Sequence, residues 1–153
     1  MALYLVQHGK SRPKAKDPQQ GLSEAGAADV RRIAEVAANY GVRVSAILHS
    51  GKPRAVQTAE ILAAALEPPD GLRRAEGIGP MDDVAAFAHD LQLDKDEMIV
   101  GHLPFLERLL AHLVVGSGAY PIFRMQNGGI ICLDLYPETT RPVIHWALMP
   151  KVG

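Results

Sequence analysis

Three of the six histidines in this 153-residue chain stand where an apolar run stops: His8 after Leu3-Tyr4-Leu5-Val6-Gln7, His49 after Val44-Ser45-Ala46-Ile47-Leu48, and His102 after Glu97-Met98-Ile99-Val100-Gly101. An imidazole with an ordinary pKa of about 6.5 is neutral near pH 7 with little tuning, so each ring is suited to act as a nucleophile, a hydrogen-bond donor or a metal ligand. Arg54 follows Pro53 near the start of a helical pattern, and its planar fork can bond two oxygens of one anion at once. Taken singly, His8 is as well read as a hydrogen-bonded histidine at a sheet edge and Arg54 as a solvated helix residue. Their recurrence in order is what points to one site. A zinc centre built from His8, His49 and His102 would lack a carboxylate at a recognisable ligand spacing, so neither a metal nor a cofactor is expected. His89, His112 and His145 fall on helix or hairpin positions without a motif and read as structural or surface residues.

The elements that must hold these side chains follow from the apolar pattern. Leu3 to Gln7 is a strand. Ser11 to Gln20, with Pro13 and Pro18, reads as a mobile, basic loop over its end. Ser23 suits a helix N-cap, and Ala27, Val30, Ile33, Ala34 and Ala37 recur at helical spacing up to a stop at Asn39-Tyr40-Gly41. Val44 to Leu48 is a second strand, followed after His49-Ser50-Gly51 by a helix over Pro53 to Leu66. Leu72 to Pro80 is irregular or at most a short strand. Asp82 to Leu91 and Pro104 to Val115 are helices on either side of the strand that leads to His102, and strands over Gly129 to Tyr136 and Val143 to Met149 close the chain as a hairpin. Strands alternating with helices predict a three-layer α/β fold: a mainly parallel sheet, helices on both faces, and a late antiparallel pair, with residues 1–153 forming one domain. Ligands of such sheets bind outside the carboxyl ends of the strands, where the histidines fall.

Composition narrows the partners. With 17 acidic and 16 basic side chains, the chain lacks the positive excess of a polyanion binder, and no nucleic-acid role is expected. No apolar run approaches the roughly 20 residues that span a bilayer, and no basic leader with a long apolar segment opens the chain, so the expected location is the cytoplasm. The one cysteine, Cys132, lies within Ile130-Ile131-Cys132-Leu133 and reads as a core residue.

The apolar strand ending in His8-Gly9, the segment Ser50-Gly51-Lys52-Pro53-Arg54-Ala55-Val56-Gln57-Thr58-Ala59 and the sequence Gly101-His102-Leu103-Pro104 together resemble the histidine phosphatase superfamily. The short chain, with its compact middle region, is similar to the small phosphohistidine phosphatases of the SixA type. This resemblance implies that His8 is a nucleophile that takes a phosphoryl group onto a ring nitrogen, with Arg54 and a protonated His102 holding its oxygens. Gln7, Gly9, Lys10, Ser11 and Arg12 are then expected to line the substrate, Gly9 leaving the floor clear where the phosphate comes close, and His49, where the family usually has a small residue, is expected either to line the site or to pack beside it. The expected partner is a protein carrying phosphohistidine, or a small phosphorylated compound.

The pattern of the family places arginine directly before the nucleophile, where this chain has Gln7. Glutamine keeps a donor but loses the charge and the fork. Removing a comparable donor costs about 2.7 to 4 kcal/mol of transition-state stabilisation. Lys10 or Arg12 is the nearest replacement cation. Glu76, Asp82 and Asp83 are the candidate general acids, although the two aspartates are also suited to a helix N-terminus. Two further readings stay open: a degenerate module of the same fold that binds phosphate or a phosphoprotein without turnover, and a mutase or sugar-phosphate phosphatase, which the absence of long insertions disfavours.

Overall fold

The computed structural model describes residues 1–152. The elements are β1 (Ala2–Gln7), α1 (Glu24–Asn39), β2 (Ala46–His49), α2 (Pro53–Leu66), β3 (Leu72–Arg74), α3 (Val84–His89), β4 (Glu97–Gly101), α4 (Phe105–Val115), β5 (Ile130–Leu135) and β6 (Pro142–Leu148). They form one six-stranded sheet in the order β3-β2-β4-β1-β5-β6. The pairs β3/β2, β2/β4 and β4/β1 are parallel, whereas β5 runs antiparallel to both β1 and β6. This is the mainly parallel, three-layer α/β architecture expected from the sequence, with the antiparallel pair late in the chain.

The central strands β1 and β4 are apolar on both faces because both are covered. Along β1, Tyr4 and Val6 point to one side and join Met98, Val100, Ile47, Ile130 and Cys132 beneath α1 and α2. Leu3 and Leu5 point to the other and join Ile99, Leu48, Ile131 and Leu133 against Phe105, Leu106, Leu109 and Leu110 of α4, with Val84 and Phe87 of α3 beside them. The chain thus leaves β1 toward one face, through α1, and leaves β4 toward the opposite face, through α4. Since β1 and β4 are neighbours, the seam between their carboxyl ends is a topological switch point, where two connections diverge and open a crevice. Gln7 and Gly101 are aligned across that seam, so His8 and His102 are the next residue on each side.

Local signals explain most boundaries. Ser23 accepts a hydrogen bond from the Gly26 amide at 3.0 Å, capping α1 as its type suggests. Asp83 caps α3 by accepting from the amides of Ala85 and Ala86, which shortens that helix to Val84–His89 against the longer span expected. The stretch after Gly71 does form a strand, only three residues long and exposed throughout, at the sheet edge. The loop after His8, expected to be mobile, is tied down: Ser11 bridges to Leu22, the Arg12 amide donates to the Gly21 carbonyl, and the Asp17 carboxylate accepts from the amides of Gln19 and Gly21.

This loop meets α1 at a glycine. A β-carbon on Gly26 would lie 2.1 Å from the Lys10 carbonyl oxygen, a backbone atom with little freedom to yield. Gly26→Ala is therefore expected to lower stability by roughly 1 to 3 kcal/mol, as overpacking does. Urea unfolding followed by circular dichroism measures it, and an unchanged midpoint would show that the contact is not obligatory.

Candidate functional site

The site is built where β1 and β4 end. His8 extends the ladder by one bond, its amide donating to the Gly101 carbonyl at 3.0 Å, so its backbone is fixed by the sheet. Its Nδ1 lies 2.7 Å from the Gly9 carbonyl oxygen. A carbonyl only accepts, so Nδ1 carries the hydrogen and, in the neutral ring, the lone pair is on Nε2. Burial lowers the His8 pKa below its ordinary value, with Arg54 adding to the fall and the Gly9 hydrogen bond opposing it. The ring is therefore an uncharged base at neutral pH with Nε2 as its nucleophilic atom.

The His102 ring stands 5.0 Å from that of His8, centroid to centroid, tilted by 52°. Its Nε2 is 2.5 Å from the Ser50 hydroxyl oxygen, whereas its Nδ1 is buried without a partner. The residue is only 2% exposed, and burial, followed by the charges that His8, Arg54 and Lys52 can present, pushes its pKa down to about 3. In the free protein these effects disfavour the protonated ring that the resemblance implied beside the phosphate, because little water and several potential cations surround it.

Arg54 is half-buried in the first turn of α2, and Lys52 is the N-cap of that helix without a side-chain cap hydrogen bond. Among the described residues no carboxylate lies within 4.0 Å of either cation. The Lys52 carbonyl accepts from the Ala55 and Val56 amides and Pro53 has no N–H, so the positive end of the α2 dipole and the unpaired Arg54 guanidinium are what favour a bound anion here.

The other sequence candidates separate. Gln7 ends β1 in the alternation of Leu3 and Leu5, its carbonyl accepts from the Gly128 amide at 2.8 Å, and its side-chain oxygen is buried without a partner. Lys10 is exposed and unpaired among the described residues, whereas Arg12 lies 4.0 Å from Asp17. Ser11 is engaged through its backbone bridge to Leu22. At Gly9 a β-carbon would meet side-chain atoms of Val30 on α1 at 2.8 Å and of Leu22 in the loop before it at 3.0 Å, so packing also disfavours a side chain there. His49 accepts from the Gly51 amide at 3.1 Å and so shapes the turn into α2; burial lowers its pKa, opposed by Glu60.

The three candidate acids are exposed, and each makes a contact of its own. Glu76 pairs with Arg74 at 3.4 Å, Asp82 accepts from the Gly79 amide at 2.7 Å, and Asp83 caps α3. Among the described residues, no group of three His, Cys, Asp or Glu side chains has the geometry to hold a metal ion.

Three residues at the site were not among the sequence candidates. Ser50 and Thr58 lie inside the segment that signals the site, but a hydroxyl with no charge gave no reason to single them out. Asn127, which donates to the His8 carbonyl at 2.9 Å, sits in a stretch with no periodicity at all.

With this geometry in view, comparison with known proteins is decisive. The family model of the histidine phosphatase superfamily (branch 1) matches residues 3–76, which include His8 and Arg54. An uncharacterized protein of Picosynechococcus sp. (strain ATCC 27264 / PCC 7002 / PR-6) is 30% identical over 141 residues, covering 87% of this chain and 84% of its own. The chain belongs to the histidine phosphatase superfamily. Its fold is shared with the protein histidine phosphatase SixA solved with tungstate, at a TM-score of 0.83, 22% identity and coverage of 98% of this chain and 97% of that one. It is also similar to the phosphoserine phosphatase of Entamoeba histolytica solved with 3-phosphoglyceric acid, at a TM-score of 0.73, 17% identity and 96% coverage of each.

The lowered pKa values of His8 and His102 make a prediction with a definite sign. Between 6.5 and about 3 the unfolded chain takes up protons at these rings that the folded chain refuses, so stability is full above 6.5 and falls as the pH drops through that window. The thermal midpoint should decline below pH 6.5, and less steeply in His102→Gln. Imidazole NMR checks the origin directly: a His102 signal titrating near 6.5 would contradict the assignment.

Proposed function

We propose that this protein is a phosphatase acting on phosphohistidine in a protein partner, or on a small phosphorylated compound, with His8 as the nucleophile. The observation that carries the proposal is the His8 ring: neutral, with its hydrogen held on Nδ1 by Gly9, it leaves the lone pair on Nε2, beside His102 and under the charge of Arg54, with no carboxylate within 4.0 Å of these groups among the described residues. In the first step Nε2 attacks phosphorus, the bond from phosphorus to the leaving nitrogen breaks, and that imidazole takes a proton from solvent. Water then attacks the phosphoryl group on Nε2, releasing inorganic phosphate and restoring the ring. Arg54 binds two equatorial oxygens, and His102 stands beside them. Phosphoryl transfer asks mainly for positioning and charge stabilisation, which such groups supply.

Choice of substrate follows from what the site lacks. An alkoxide needs a proton as it leaves, and Glu76, Asp82 and Asp83 each have a structural engagement. An imidazole leaves readily without a dedicated acid, so phosphoramidates are preferred over esters of alcohols. The fold does not make this choice, since the similar structures include both a protein histidine phosphatase and a phosphoserine phosphatase.

A second reading, a phosphate- or phosphoprotein-binding module without turnover, is favoured by Gln7, where the motif of the family has arginine. The two separate on one experiment. A phosphatase should release phosphate from phosphohistidine, pass through an acid-labile phosphoryl adduct, and lose both in His8→Ala. Gln7→Arg should raise the rate by roughly 100- to 1,000-fold, the effect of one transition-state donor. Vanadate affinity that depends on Arg54, with no adduct and no gain from Gln7→Arg, would favour the binding module.

A further inference from the structure

We infer that Thr58 and Asn127 are positioning residues that clamp the peptide joining His8 to Gly9 from opposite ends, setting which ring nitrogen of His8 is free and how far it stands from Arg54. The inference rests on the proposed role of His8 as nucleophile, and its test below includes a readout that does not.

The peptide after His8 has two polar groups, the His8 carbonyl and the Gly9 amide. Asn127 donates its side-chain amide to the first at 2.9 Å, and the Thr58 hydroxyl accepts from the second at 2.9 Å. The plane is thus held at both ends, by a residue just before β5 and by one on α2. The next carbonyl along, that of Gly9, accepts the Nδ1 hydrogen of His8. Rotation of the clamped peptide would carry that acceptor away from Nδ1 and release the tautomer. Held still, the acceptor keeps the hydrogen on Nδ1 and the lone pair on Nε2.

Thr58 links the same peptide to the cation. Its hydroxyl donates to the Arg54 carbonyl at 2.7 Å, one helical turn back, which commits its hydrogen and leaves its lone pairs for Gly9. The residue is wholly buried, and both of its polar contacts are to backbone, one on each side of the site. A single side-chain oxygen therefore spans from the loop of His8 to the first turn that presents Arg54. Serine keeps this oxygen; valine keeps the shape and loses it. Neither Thr58 nor Asn127 is assigned contact with substrate, so both act through His8.

The test uses the full-length protein labelled with 15N-histidine, and the variants Thr58→Val, Thr58→Ser and Asn127→Ala. Long-range nitrogen–proton correlation spectra report the His8 tautomer without any need for turnover, and steady-state hydrolysis of phosphohistidine reports kcat and KM. The wild type and Thr58→Ser should show the Nδ1–H tautomer alone, with kcat values within a few-fold of each other. Thr58→Val and Asn127→Ala should show both tautomers, and kcat should fall on the order of 100-fold with little change in KM, the effect of a misplaced reacting group. If Thr58→Val does not fold, Asn127→Ala carries the same two readouts. A wild-type tautomer in folded variants overturns the clamp whatever the activity, and a shifted tautomer with an unchanged kcat overturns its link to the reaction. A wild type that shows the single tautomer but no turnover overturns the phosphatase reading and leaves the clamp standing.

Discussion

Two imidazoles 5.0 Å apart share the end of the β1–β4 seam with an arginine that has no counter-ion among the described residues, and this crowding disfavours protonation of both rings together. Two full positive charges at that separation would repel by about 3 kcal/mol even at an effective dielectric constant of 20. Burial of His102 adds a desolvation penalty that acts in the same direction. The site is therefore poised between two charge states. Free, it holds its positive charge on Arg54 and Lys52; burial first, and then these charges, keep His102 unprotonated, and a bound anion would offset the second of the two. The same balance that costs stability in acid keeps the lone pair of His8 free near neutrality.

The scaffold is arranged to hold that crowding in place. β1 and β4 lie in the middle of the sheet, apolar on both faces, and their connections diverge to opposite sides. The rings are consequently fixed by backbone with no freedom to retreat. Close packing continues into the loop, where Gly9 and Gly26 let α1 approach the chain just after His8. Helix α1 reaches the site without contributing a charge to it. It acts as a wall, and the hydroxyl of Ser23 ties it to the Lys10 carbonyl.

What could be read from the sequence divides along physical lines. Strong periodicity marked β1, α1, α2, β4 and α4, and titratable residues at strand ends marked His8 and His102, with Arg54 marked by its place at the start of α2. Short elements were less legible: β3 has three exposed residues and therefore no apolar pattern to find, and the start of α3 depended on whether Asp82 or Asp83 supplied the cap. His102 was recognisable as a site residue, but its charge was not, because a pKa depends on burial and neighbours that are distant in the chain. Gly9 stood out in the motif, but its contacts with Val30 and Leu22 were not legible, because only the fold brings them near. Thr58 and Asn127 fell below notice because their work is done by neutral hydrogen bonds to backbone, 49 and 119 residues away in sequence.

Gln7 is the point at which these lines meet. On the proposed reading, the pocket has lost one fixed cation at that position, and a neutral His102 does not replace it before substrate arrives. Arg12 lies toward Asp17 and Lys10 is exposed, so neither is committed to the pocket as a substitute. A site with so little fixed positive charge stabilises a transferring phosphoryl group less, and the deficit matters most for substrates whose leaving group also needs help. For an alcohol ester the two shortages act on the same barrier. For a phosphoramidate only one of them does, because the departing imidazole makes small demands of a general acid. On the proposed reading the glutamine and the lack of an assigned general acid act together: each alone would slow a broad phosphatase, and the pair favours the substrate with the most labile bond.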